Sequence, residues 1–296
     1  MDPLRKRVLA ALAAIPLVVA LTFWRLELPF KLMAAGVLFL GLLEFYRMAE
    51  AHGLPSLRRP GAALLVLILL PFFLGPDSFF QGKEFLNLIP DFARRELGTP
   101  FALFLQRECL VAGLLFLSLT FLFSRRPLGE MVVSASVTFF GAVYFGLLGG
   151  YFFALRQMDH GAWHLLWFCA ATWAYDTGGY FVGKKWGRHP MTPEASPKKT
   201  WEGAGGGFLF CLAALLVLWK AFPFYSGFYA LADVLALSAL FSLFGQLGDL
   251  AESLMKRSLS AKDSGDFLPG HGGVFDRLDS LLFNAPVLFY YLMMIK

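Results

Sequence analysis

The chain has 296 residues, 57% of them hydrophobic and 16% charged, with 33 phenylalanines and a positive mean hydropathy. A soluble globular domain carries about 25% charged residues, so this composition excludes one, and repeated apolar runs of roughly 20 residues point to an all-α polytopic membrane protein. The formal net charge of +5 fits loops lying beside anionic lipid better than nucleic-acid binding.

Hydropathy places about nine transmembrane helices, at roughly residues 8–24, 29–46, 61–76, 104–124, 129–154, 162–183, 203–222, 228–250 and 275–295. The first follows Arg5, Lys6 and Arg7 and lacks a clear cleavage site before Arg25, so it reads as a retained helix. One set of loops holds Arg47, Arg58, Arg59, Arg125 and Arg126, then the basic residues of 184–199 and 256–262. Together with the N-terminal cluster these loops carry twice the Lys and Arg of the opposite set, which puts the N-terminus in the cytoplasm. The aromatic and charged stretch from Pro76 to Pro100 reads as an interfacial helix on the outer face. Cys109, Cys169 and Cys211 are isolated in apolar runs, without metal or redox spacing.

Residues 1–155 carry no constellation of polar groups and read as scaffold, lipid contact or dimer packing; residues 156–296 are polar at selected points and read as the catalytic region. Asp176 lies late in the sixth span beside Gly178 and Gly179, where a bare carboxylate needs a partner. The loop 184–202 ends in S-P-K-K-T-W-E-G, which offers Ser196, Lys198, Lys199 and Thr200 before a glycine-rich helix start at Gly203. Backbone N–H groups at a helix start, with ammonium groups nearby, suit phosphate oxygens. Asp249 ends the eighth span, and loop 251–274 then carries Lys256, Arg257, Lys262, His271, Gly272 and Gly273. Asp276, Arg277 and Asp279 open the last span. Intramembrane charges are costly unless they line a wet cavity, pair or bind a cation, and Asp276 and Asp279, at i and i+3, are close enough to share one metal ion.

The blocks D-T-G-G-Y-F-V-G-K-K-W-G, S-P-K-K-T-W-E-G, G-Q-L-G-D-L-A-E-S-L-M-K-R and K-D-S-G-D-F-L-P-G-H-G-G-V-F-D-R-L-D resemble, in the same order, those of the phosphatidate cytidylyltransferases. The resemblance covers about Ala174 to Ser280; before that, only hydropathy matches. It implies that CTP and phosphatidate give CDP-diacylglycerol and pyrophosphate at the cytoplasmic face of an inner (plasma) membrane, in a multi-pass homodimer that needs no nucleic acid. It implies Asp249, Asp276 and Asp279 as ligands of Mg²⁺, with a second, monovalent cation such as K⁺ as an option, and Lys262 as a further catalytic group. Substrate contacts would then come from Asp176, Ser196, Lys198, Lys199, Thr200, Lys256, Arg257, His271, Gly272, Gly273 and Arg277. The chemistry agrees. Joining two anionic partners at phosphorus calls for a divalent cation, positive side chains and in-line positioning.

Three alternatives are open to the same residues. A CTP-dependent lipid kinase would move the γ-phosphate, and an archaeal-type synthase would accept an isoprenoid ether lipid; the uninterrupted L-P-G-H-G-G-V-F-D-R-L-D block favours the diacyl enzyme over both. A transporter would show repeated halves with paired broken helices, whereas here the polar motifs crowd the C-terminal half.

Overall fold

The computed structural model describes residues 16–78, 101–123, 127–265 and 272–295. Most of residues 76–100, expected as an interfacial helix, lie outside these, as do residues 8–15 of the first expected span and His271. Residues 16–22 are helical. The helices that follow are α1 (Leu28–Ala51), α2 (Arg58–Ser78), α3 (Phe101–Leu122), α4 (Leu128–Gln157) and α5 (Gly161–Trp186). After a two-stranded insertion come α6 (Trp201–Ala221), the short α7 (Pro223–Phe228), α8 (Leu231–Ser258) and α9 (Phe275–Ile295). The second to ninth expected spans each fall on one of the long helices. Among the described residues α1, α4, α6 and α8 are long and apolar enough to cross a membrane.

The sequence reading of a purely helical chain needs one correction. Pro190–Thr192 (β1) and Ser196–Thr200 (β2) pair antiparallel, with Pro190 opposite Thr200 and Thr192 opposite Ser196. Lysine and proline disfavour strands, so intrinsic propensity does not account for this hairpin. It is secured from outside. Glu202 accepts from the Arg188 and His189 amides at 3.1 and 3.2 Å, and Arg257 Nε donates to the Ala195 carbonyl at 3.3 Å.

Two compact units divide the chain. Residues 26–158 form one, around Leu64, Ile68, Leu117, Phe121 and Ala142. There the buried Tyr46 hydroxyl donates to the Thr138 carbonyl at 2.6 Å, and Thr138 Oγ1 accepts the Leu57 amide at 2.9 Å. Polar groups deep in an apolar unit need such partners.

The other unit contains α5 to α9 together with residues 16–22. The start of α5 meets α7 and the residue that follows it in an aromatic cluster: Trp167 stacks on Tyr229 at 4.9 Å between centroids, and the Tyr229 hydroxyl meets His164 Nδ1 at 2.7 Å. Helices α5 and α6 pack closely through small residues. A methyl group on Gly207 would lie 2.7 Å from Tyr175 Cε2 and 2.9 Å from its carbonyl oxygen, so only glycine lets the Tyr175 ring lie there. Helix α9 packs beside α8, tied at its far end by Tyr291, whose hydroxyl donates to Asp233 Oδ1 at 2.7 Å.

Replacing Gly207 by leucine should overpack this contact at a cost of about 1–3 kcal/mol. Thermal unfolding in detergent should then shift down by several degrees, whereas Gly205→Ala, with nothing within 4 Å of the new methyl group, should not lower it. Equal midpoints for the two variants would contradict the close α5–α6 packing.

Candidate active site

Where α5 ends, α6 begins, α8 ends and α9 begins, these helices and the hairpin enclose a cavity of about 830 Å³. That size accommodates a sizeable ligand. Each wall follows from local structure. Asp176 stands on the last turns of α5, where the cavity keeps it open to solvent. Strand β2 delivers Lys198 and Lys199 directly into the start of α6. Thr200 caps that helix, its Oγ1 accepting the Gly203 amide at 3.1 Å. The cap leaves the hydroxyl proton of Thr200 free to donate. Gln246 and Asp249, three residues apart on α8, share one face; Asp276, Arg277 and Asp279 come from the first turn and a half of α9.

The acidic groups fall into two sets. Asp249, Glu252 and Asp279 each bring a carboxylate oxygen within 4.8 Å of the others. Glu252 is 1% exposed, with Oε2 held by Lys256 Nζ at 2.8 Å and Oε1 buried without a hydrogen-bond partner. Lys199 Nζ lies 2.5 Å from Asp249 Oδ2. Three converging carboxylates with an unsatisfied buried oxygen are the donor set a hard divalent cation takes. Among the described residues this is the one such grouping.

Asp276 borders the cavity but has other partners. Its Oδ1 accepts from Lys256 Nζ at 2.6 Å; its Oδ2 accepts from the amides of Gly273 at 2.8 Å and Ser264 at 3.1 Å, and from Ser264 Oγ at 3.1 Å. It therefore ties the start of α9 to both ends of the segment that links it to α8. Gly272 is required there: its φ is +78°, and a methyl group would sit 2.8 Å from Asp276 Oδ2.

The other residues singled out in the sequence are distributed as follows. Asp176, Lys198, Lys199, Thr200, Asp249, Asp276, Arg277 and Asp279 line the cavity together. Lys256 lies behind it, between Glu252 and Asp276. Arg257 grips the Ala195 and Ala261 carbonyls, Ser196 sits in β2, and Lys262 is exposed on the linking segment; none of these three lines the cavity among the described residues. Sequence reasoning passes over Glu252 and Gln246, although their spacing of three from Asp249 places them on its helix face. It also passes over Glu202, which closes the hairpin base and meets His189 Nδ1 at 2.5 Å.

The fold and site thus define a helical membrane protein in which basic side chains and a carboxylate cluster line one cavity, with Lys199 paired directly to Asp249. The chain matches the Cytidylyltransferase family over residues 5–295 and belongs to it. The match reaches far beyond the Ala174–Ser280 blocks, into the region where hydropathy alone is recognisable by eye. The chain is 35% identical to the phosphatidate cytidylyltransferase of Bacillus subtilis (strain 168) over 271 residues, covering 90% of this chain and 89% of that one. It is also 36% identical over 190 residues to the enzyme of the same name from Staphylococcus aureus (strain COL), and 37% identical over 185 residues to that from Staphylococcus haemolyticus. Those matches cover 64% and 62% of this chain, and 70% and 68% of the relatives.

Glu202→Ala should free the base of the hairpin. Hydrogen exchange at the Arg188 and His189 amides should speed up by about tenfold or more, while the amides in the middle of α8 keep their protection. Unchanged exchange at Arg188 and His189 would show that the hairpin is held by other means.

Proposed function

We propose that this membrane enzyme is a phosphatidate cytidylyltransferase: a phosphatidate oxygen bonds to the α-phosphorus of CTP, the bond from that phosphorus to the β-phosphate oxygen breaks, and CDP-diacylglycerol and pyrophosphate result. The observation that carries this reading is the cavity lined together by Lys198, Lys199 and Arg277 and by Asp249, Asp279 and Asp176. Membership of the family and the name shared by the relatives supply the substrates.

The residues divide the work on physical grounds. Both substrates are anions, so their approach needs positive charge at the reacting oxygens and a fixed geometry. Lys198 and Lys199 stand at the start of α6, where their ammonium groups and the positive end of the helix dipole favour phosphate; the triphosphate is assigned to that wall. Arg277, whose planar guanidinium suits a phosphate group, is assigned to the phosphatidate. Mg²⁺, held by Asp249, Glu252 and Asp279, would supply charge neutralisation at the phosphates. Asp276 keeps α9, Lys256 and Gly273 in register with the cavity. The loop charges favour a cytoplasmic opening in a plasma membrane, and residues 26–158 are read as scaffold and pairing surface for a homodimer.

Purified protein in detergent, given phosphatidate and Mg²⁺, should incorporate label from α-labelled CTP into lipid and release pyrophosphate. Label from γ-labelled CTP should stay in the water phase. Incorporation of γ-label into a lipid alcohol would make the protein a kinase, and transfer from neither position would overturn the transferase reading.

A further inference from the structure

Among the polar side chains of the cavity that the reaction as described does not use, Gln246 has a buried donor. Gln246 lines the cavity on the face of α8 that carries Asp249, and its amide nitrogen is buried without a hydrogen-bond partner. The side chain is not free to turn, because the Tyr175 hydroxyl donates to its Oε1 at 2.8 Å. The Tyr175 ring is in turn 5% exposed and held against Gly207, where a methyl group would collide with it. Tyrosine thus marks the oxygen as acceptor and leaves the NH₂ group as an oriented donor. A buried donor without a partner costs about 1–3 kcal/mol, which a bound acceptor would recover.

The position of Gln246 selects the acceptor. It precedes Asp249 by three residues, about 4.5 Å along the helix axis, on the side away from the charged end that carries Lys256 and Arg257. From Gly245 back to Val234, α8 is apolar apart from Ser238 and Ser242. Val234, Leu237 and Phe241 are buried there, while Leu235 and Leu243 are exposed along an apolar face suited to lipid. Gln246 is therefore the step between the charged layer and the membrane interior. A lipid whose phosphate sits level with Asp249 and Asp279 places its glycerol ester groups about one helical turn deeper. An ester carbonyl accepts hydrogen bonds and has none to give, and a neutral amide N–H meets it without the cost of a charge at that depth. A nucleotide base, entering from water, has no reason to lie on the lipid side of the phosphates.

We infer that Gln246, oriented by Tyr175, donates a hydrogen bond to an acyl ester carbonyl of the lipid substrate and so makes the enzyme selective for ester-linked over ether-linked phosphatidate. Gln246 is the specificity residue, and Tyr175 is a positioning residue acting through it. The inference rests on the transferase reading above.

The test compares diacyl phosphatidate with its dialkyl ether analogue of equal chain length in mixed micelles, each at saturating CTP. The wild type should favour the ester by about tenfold in kcat/KM, the worth of one net hydrogen bond. Gln246→Met keeps the shape and removes the donor, and should bring the ester-to-ether ratio to about one; Tyr175→Phe should give a ratio between the two. A wild-type ratio near one, or a ratio in Gln246→Met equal to that of the wild type, would overturn the inference. So would a raised KM for CTP in Gln246→Met with the lipid ratio unchanged, which would assign the amide to the nucleotide. Wild-type protein that transfers to neither lipid would sink the transferase reading, and this inference with it.

Discussion

The structure depends on the balance of charge around Asp249, Glu252 and Asp279. Three carboxylates whose oxygens approach within 4.8 Å of one another repel strongly in a setting poorer in water than bulk solvent. The chain answers with two ammonium groups: Lys199 from the hairpin, 2.5 Å from Asp249, and Lys256 from the same helix as Glu252, 2.8 Å from it. Much of the remaining architecture follows from bringing those groups together. The hairpin has to be held where Lys199 can reach, which Glu202 and Arg257 do. The start of α9 has to be seated against the end of α8, which Asp276 does with three N–H or ammonium donors and one hydroxyl.

The same balance gives the cavity its chemistry. Carboxylates that concentrate negative charge are suited to a cation, and a cation there is flanked by the ammonium groups and helix start that suit phosphate oxygens. Toward the apolar part of α8 this layer ends at Gln246, where charge gives way to an oriented amide. One helix, α8, therefore reads in order along the direction in which a phospholipid is built: apolar residues, a neutral donor, then carboxylates and basic groups.

The helices are legible in the sequence because the apolar runs are long and nearly unbroken, so the second to ninth expected spans coincide with helices. Their ends are less so. Helix α8 continues from the expected boundary near residue 250 to Ser258, since the Asp249–Arg257 segment keeps its helical hydrogen bonds while its side chains face polar partners. Asp176, Lys198, Lys199, Asp249 and Asp279, which come from separate motifs, line one cavity. The hairpin is not legible, because S-P-K-K-T has little strand propensity and is held by tertiary contacts from Glu202 and Arg257. Thr200 reads as a phosphate contact, yet the T-W-E-G spacing also encodes the helix cap it forms. Arg257 and Asp276 illustrate a general limit: sequence shows that charged groups are present but not that backbone carbonyls and amides engage them. Gln246 needs Tyr175, 71 residues away in the chain, before its amide has a direction.

The most direct test of the account is binding of Mn²⁺, as a spectroscopic stand-in for Mg²⁺, to the purified protein without substrates, followed by the loss of the free-ion electron paramagnetic resonance signal. The account predicts saturable binding to the wild type and an affinity lower by about tenfold or more in both Glu252→Gln and Asp279→Asn. Affinities in both variants equal to that of the wild type would contradict the claim that these carboxylates form a cation seat at the centre of the site.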